Sequence, residues 1–161
     1  MMFAEMKAFG KEYTTQIVKN ARALGQALYE RGFKVLGEKR GFTQSHQLVA
    51  DITQFGDGKT IEKQLEDSNI ILNRNLLPYD IKAGRHFEAP GGIRCGVSEV
   101  TRLGMKESDM VEIADLMTRV VVKKEEPRRI VEAVAGFRKN FNTIHYAFES
   151  TEDAYEYVRL R

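Results

Sequence analysis

The sequence holds a single cysteine, Cys95, among 161 residues. That excludes an internal disulfide and any zinc site built from several cysteines. It fits a reducing compartment. No apolar run approaches the roughly 20 residues needed to cross a bilayer, and no segment has the layout of a signal peptide. A soluble, cytoplasmic chain with no membrane partner is the expectation. The net charge is only +2, so bulk electrostatics gives no reason to expect nucleic acid. Three histidines are present, His46, His86 and His145. None has a metal-ligand spacing of the HExxH kind, so no metal site is expected. Each reads as a structural or surface residue, with His86 set apart by its place in a long loop. A Gly-x-Ser-x-Gly run and a complete P-loop are both missing. Gly56-Asp57-Gly58-Lys59-Thr60 lacks the leading glycine of a phosphate loop, and a turn followed by a helix cap explains it.

What is present fits one ordinary domain. Apolar residues make up 42% and charged residues 30%, a soluble globular mixture. A chain of this length hides about 70% of its unfolded surface, enough for a core without staples. Residues 1–31 read as a long helix, because Tyr13, Ile17, Ala21, Leu24 and Leu28 recur at spacings of three and four. Gly32 is a natural stop. Met1-Met2-Phe3 carries no capping residue, which fits either a cut inside a longer polypeptide or a frayed terminus. Strands are predicted at 33–36, 45–52, 70–75 and 92–97. A helix follows Asp57 and buries Ile61 and Leu65. Residues 98–104 read as irregular. Met110, Ile113, Leu116, Met117 and Val120 form the stripe of one later helix. Ile130, Val131, Val134, Phe137 and Phe141 form that of another, opened by Pro127. Ser150 and Asp153 have capping spacing before a short last helix. The order predicts an α+β domain: a two-layer sandwich with a long N-terminal helix and a small, mostly antiparallel sheet covered by helices on one face.

Two stretches invite chemistry. In Gly91-Gly92-Ile93-Arg94-Cys95-Gly96, glycines flank one arginine. A guanidinium is a planar fork that matches a carboxylate or phosphate. The rival reading is a glycine-rich turn with a solvated arginine. In Asn73-Arg74-Asn75, strand alternation puts both asparagines on one face. Their carboxamides could read a heterocycle or satisfy a turn. Cys95 beside Arg94 reads as a small buried residue, the alternative being a thiol with a lowered pKa.

Together these stretches carry a resemblance. Leu72-Asn73-Arg74-Asn75-Leu76-Leu77-Pro78-Tyr79-Asp80 resembles the Val-Asn-Lys-Asn-x-x-Pro-x-Asp segment of the serine hydroxymethyltransferase family. Gly92-Ile93-Arg94-Cys95-Gly96, followed by Thr101-Arg102-Leu103-Gly104-Met105-Lys106, resembles its Gly-Ile-Arg-x-Gly and Thr-x-x-Gly-Phe-Lys runs. Ser45-His46-Gln47-Leu48-Val49-Ala50-Asp51 is similar to its Asn-His-Leu-x-x-x-Asp strand. The stretch from Phe9 to Leu24 looks like its helix entering the small domain. The motifs keep family order to about residue 117.

The resemblance implies that residues 1–161 are a single C-terminal small domain of a fold-type I enzyme dependent on pyridoxal 5'-phosphate, with 1–31 as interdomain helix. The large cofactor-binding domain, with its Schiff-base lysine, would be absent. The family interconverts serine and glycine and passes a one-carbon unit to tetrahydrofolate or a modified tetrahydropterin. Arg94 matches the arginine that binds the substrate carboxylate, and Asn75 matches the asparagine beside the pterin. No catalytic residue is implied in this stretch, and the chain alone would be inactive. The implied partners are the large domain and a second copy in a homodimer. Val97-Ser98-Glu99 departs from the family's Thr-Pro-Ala, and the loop 81–91 is longer than usual. Both suggest a divergent, archaeal-like branch. Alternatives are the small domain of an aminotransferase or glycine C-acetyltransferase, and a non-enzymatic α+β interaction module.

Overall fold

A computed structural model describes residues 2–159. The chain opens with α1 (Met2–Glu30), whose stripe buries Ile17, Ala21, Leu24 and Leu28. It stops where expected: Gly32 has φ 86°, and the N–H of Phe33 donates to the carbonyl of Leu28. The strands are β1 (Lys34–Val35), β2 (Gln47–Asp51), β3 (Asn73–Asn75) and β4 (Gly92–Gly96). They form one sheet in the order β1-β2-β4-β3, every pair antiparallel. Between β2 and β3 lies α2 (Gly58–Glu66), capped by Asp57 through a bond from the Thr60 N–H. The later helices are α3 (Ser98–Arg102), α4 (Glu107–Val121), α5 (Pro127–Arg138) and α6 (Thr151–Arg159).

Leu48, Ala50, Ile93 and Cys95 turn one face of the sheet into the core, where Leu24, Leu28, Ile61, Leu65, Met110 and Met117 also pack. This is the expected α+β sandwich with its long first helix. Among the described residues no helix is long and apolar enough to cross a membrane.

Three sequence expectations shift. Residues 98–104 are not irregular: Ser98–Arg102 is one helical turn, closed by Gly104 at φ 92°. Its β-branched Val100 and Thr101 hid the helical pattern, but Thr101 is fully buried and its hydroxyl donates to the Val97 carbonyl at 2.7 Å. The third strand spans only Asn73–Asn75, because Asn69 takes φ 61° and the Ile70 N–H turns back to Leu65. Phe141 packs against the core from beyond the end of α5, in contact with Phe137. The last helix is capped as expected: the Ser150 N–H donates to Asp153, and the Asp153 N–H to the Ser150 hydroxyl.

One buried polar residue ties α1 to the segment after β4. Asn20 is fully buried, and its Nδ2 donates to Thr101 Oγ1 at 2.9 Å and to the Met105 carbonyl at 2.8 Å. Gln16 donates to its Oδ1 at 2.9 Å. Removing one partner of a buried pair leaves the other desolvated and unpaired. We expect Asn20→Ala to lower the unfolding free energy by about 2–3 kcal/mol, measured by urea titration.

Candidate functional site

The face of the sheet turned away from the helices carries most of the polar residues of the strands, Arg74 excepted. Cα register pairs Arg94 with Val49 on β2 and with Asn73 on β3. Asn75 pairs with Gly92, and Asp51 pairs with Gly92 from the other side. Alternation therefore places Arg94, Asn73, Asn75, Val49, Asp51, Gly92 and Gly96 on one face. Ile93 and Cys95, on either side of Arg94, are buried on the other. Both asparagines lie on one face, and that face is also Arg94's.

The Arg94 side chain is exposed. Among the described residues its guanidinium has no hydrogen-bond or ion-pair partner within the chain, in contrast to Arg31, Arg74, Arg102 and Arg119, each held by a carboxylate. An unpaired planar cation on a bare sheet face can take a carboxylate or phosphate through two parallel bonds. Asn73 is exposed; Asn75 is half-buried, and its Nδ2 donates to the Leu76 carbonyl at 2.7 Å. Arg74 points the other way and pairs with Glu62 on α2 at 3.0 Å, while Phe87 stacks against its guanidinium.

The two terminal glycines of β4 differ in what surrounds them. A Cβ on Gly92 would lie 2.6 Å from Leu77 Cδ2 and 2.9 Å from the Asn75 carbonyl oxygen. A Cβ on Gly96 would meet nothing within 4 Å. Gly92 is thus required by the loop packed on the sheet, whereas Gly96 borders open space. Cys95 is confirmed as a buried residue on the core side, and burial pushes its thiol up to about 12. The alternative of an arginine-activated thiol is overturned.

Two buried aspartates, unremarked by their chemistry in the sequence, hold the loop 76–90 against this face. Asp51 accepts bonds from the Thr53 N–H and hydroxyl at 3.0 and 2.7 Å, from the Tyr79 hydroxyl at 2.7 Å and from Lys34 at 3.0 Å. Burial acts to raise its pKa. The bonds from Thr53, Tyr79 and Lys34 outweigh burial and hold it well below the usual carboxylate range. Burial and the bond to Asp51 push Tyr79 up to about 12. Asp80 is the other aspartate: its Oδ2 accepts the N–H groups of Leu77 at 2.8 Å and Gly91 at 2.7 Å. Both lie in stretches quoted above as family motifs, and their position there was the only available signal.

None of the histidines is paired with Arg94, although the His46 carbonyl accepts the Val97 N–H at 2.9 Å just beyond the end of β4. His46 and His86 are exposed. His145 packs its ring against Gly104, and its backbone N–H donates to the Arg102 carbonyl at 2.7 Å. Asp57 caps α2, so the Gly56–Thr60 run is a cap, as read from the sequence.

A sequence profile described as serine hydroxymethyltransferase matches residues 2–117. The chain belongs to the serine hydroxymethyltransferase family. It is 52% identical to the serine hydroxymethyltransferase of Nitrosopumilus maritimus over 159 residues, covering 99% of this chain and 36% of that protein. It is 54% identical to that of Korarchaeum cryptofilum, covering 96% and 35%, and 48% identical to that of Methanocaldococcus jannaschii, covering 98% and 37%. The chain thus spans about a third of the length of these curated relatives. Among solved structures it is similar to the L-threonine transaldolase of Pseudomonas fluorescens in its internal aldimine state, with TM-score 0.79 and 32% identity, covering 98% of this chain and 36% of that one. The family match decides against a stand-alone interaction module of another lineage.

Two outcomes test this geometry. Gly92→Ala should destabilise the chain by about 1–3 kcal/mol, while Gly96→Ala should change its stability by less than about 1 kcal/mol, both read by urea unfolding. For Asp51, a carboxylate lowered on folding stabilises the native state above its unfolded pKa of about 3.9, and that contribution fades as pH falls. Asp51→Asn should therefore cost stability at neutral pH, with the gap from wild type narrowing below about pH 4. A gap that stays constant through acid would show that the charge plays no part.

Proposed function

We propose that this chain is the small domain of a serine hydroxymethyltransferase, and that Arg94 receives the carboxylate of serine or glycine in the intact enzyme. The observation that carries this is the unpaired guanidinium of Arg94 on the bare face of a family-assigned sheet. Residues 1–161 act as one unit, with 1–31 leading in from the large domain. The reaction moves a one-carbon unit between serine and a tetrahydropterin, in the cytoplasm, within a homodimer.

The relatives' family implies pyridoxal 5'-phosphate. The groups on this face do not fit its covalent attachment. Lys34 is the lysine on β1, and it is engaged by Asp51. The free donors are a guanidinium and carboxamides, which suit a carboxylate and not an aldehyde. We therefore assign the cofactor to the large domain and derive no step through it here. The work of this chain is to bind and orient. Two parallel bonds from a planar fork fix both the position and the plane of a carboxylate, and so restrict rotation of the attached Cα. Asn75 keeps its Oδ1 and one amide hydrogen for a ligand, since a single bond to Leu76 engages its side chain. That suits the donor and acceptor edge of a pterin ring.

In the intact enzyme, Arg94→Lys should raise the KM for serine about 10- to 100-fold, since an ammonium cannot reproduce the fork and a charge-assisted bond is worth about 1.5–3 kcal/mol. Asn75→Ala should raise the KM for the pterin while leaving that for serine near its original value. Steady-state kinetics with each substrate varied in turn reads both. An unchanged serine KM in Arg94→Lys would remove the assigned role. Assayed alone, the chain should turn over no serine.

A further inference from the structure

Arg94 stands three residues after Gly91, and Gly91 is where a buried carboxylate grips the strand. The Asp80 side chain is 0% exposed. One oxygen, Oδ2, takes both backbone N–H groups, from Leu77 and from Gly91. The other, Oδ1, is sealed from solvent without a hydrogen-bond partner, and the Arg85 Nη1 lies 3.6 Å from it. A buried carboxylate with an unpaired oxygen is costly, and an apolar residue at such a position commonly serves stability as well. The cost is matched to what the oxygen holds. Gly91 is fixed from two sides, since its carbonyl also accepts the Ile52 N–H at 2.9 Å. A Cβ on Gly91 would sit 2.6 Å from Asp80 Oδ1. Leu77 follows Asn75 by two residues, and Gly91 precedes Arg94 by three.

We propose that Asp80 is a positioning residue: by gripping the Leu77 and Gly91 amides together, it holds the exit of β3 against the entry of β4 and so steadies the ladder that pairs Asn75 with Gly92 and Asn73 with Arg94. The proposal rests on the reading of Arg94 as the substrate-carboxylate site. Without the grip, the ten-residue excursion 81–90 is closed by the β3–β4 ladder and by the Gly58 N–H on the Pro90 carbonyl, and closing a loop costs chain entropy. β4 would still pair with β2 and β3, and the Ile52 N–H would still hold the Gly91 carbonyl, but the Leu77 end of the loop would no longer be tied to the entry of the strand. A shift of about 1 Å in a bidentate donor is enough to degrade orientation.

The test uses the intact enzyme with three variants. Asp80→Ala should raise the KM for serine about tenfold or more while kcat falls less, with circular dichroism unchanged. Asp80→Asn should return KM to within about threefold of wild type, because a carboxamide oxygen in the place of Oδ2 accepts both N–H groups. A purely structural role would lower thermal stability and leave the KM of the folded enzyme unmoved, and that outcome overturns the proposal. An Asp80→Asn enzyme as impaired as Asp80→Ala also overturns it. Arg94→Lys is the control: if its serine KM is unchanged, the underlying reading fails, whereas an effect of Arg94→Lys with none from Asp80→Ala rejects only the positioning role. If Asp80→Ala does not fold, native-state amide exchange on the wild-type enzyme decides. The Leu77 and Gly91 amides should exchange at least about 100-fold more slowly than those of Phe87 and Glu88, and comparable rates would overturn the grip.

Discussion

Burial of Ile93 and Cys95 in the helix layer decides where Arg94 goes. A strand with one face in the core has no choice in what its other face displays, and a slip of one residue would exchange the two sets. Here the slip would put a guanidinium among Leu28, Ile61 and Met110 and expose Ile93. Hydrophobic burial therefore fixes the direction of a charged group that contributes little to stability itself. β4 lies between β2 and β3, so both neighbours hold its register. Asn73 on β3 and Val49 on β2 are brought beside Arg94 by the same pairing.

Electrostatics then shapes the edge of that face. Asp51 is surrounded by four donors, and its charge is compensated within the chain. Arg94 is the opposite case, a cation with no ion-pair partner among the described residues. The loop between β3 and β4 is drawn down over Gly92 by Leu77 and over Asp51 by Tyr79. It covers one end of the face and leaves the end near Gly96 bare. Polar chemistry that is complete in one corner and incomplete in the next is what a surface looks like when its counterpart lies on another body.

Periodicity made much of this legible in the sequence. The stripe from Ile17 to Leu28, the alternation of Leu48, Ala50 and Ile52, the Asp57 cap and the Ser150–Asp153 cap all depend on residues close in the chain. The single turn at Ser98–Arg102 was hidden because a helix of that length shows no period, and its fixing bond comes from Asn20, 81 residues away. The ladder limits of β3 were hidden for a similar reason, since the Ile70 N–H could go either to a strand or back to α2. For the site, Arg94 and Asn75 stood out by motif. The grip of Asp80 on Gly91 joins residues 11 apart across a loop whose path no local pattern specifies.

Three residues fasten α1 to the segment that trails β4. Glu5 receives Arg102 at 2.7 Å, the Tyr13 hydroxyl donates to the Ser98 carbonyl at 2.9 Å, and Asn20 reaches Thr101 and Met105. Along a helix those three residues span about 22 Å and fall within roughly 80° of one another around the axis. They act as keys in a shaft. Rolling the helix by a single residue, about 100°, would shear all three at once. Rotation of the helix is thereby tied to the segment that follows the strand carrying Arg94.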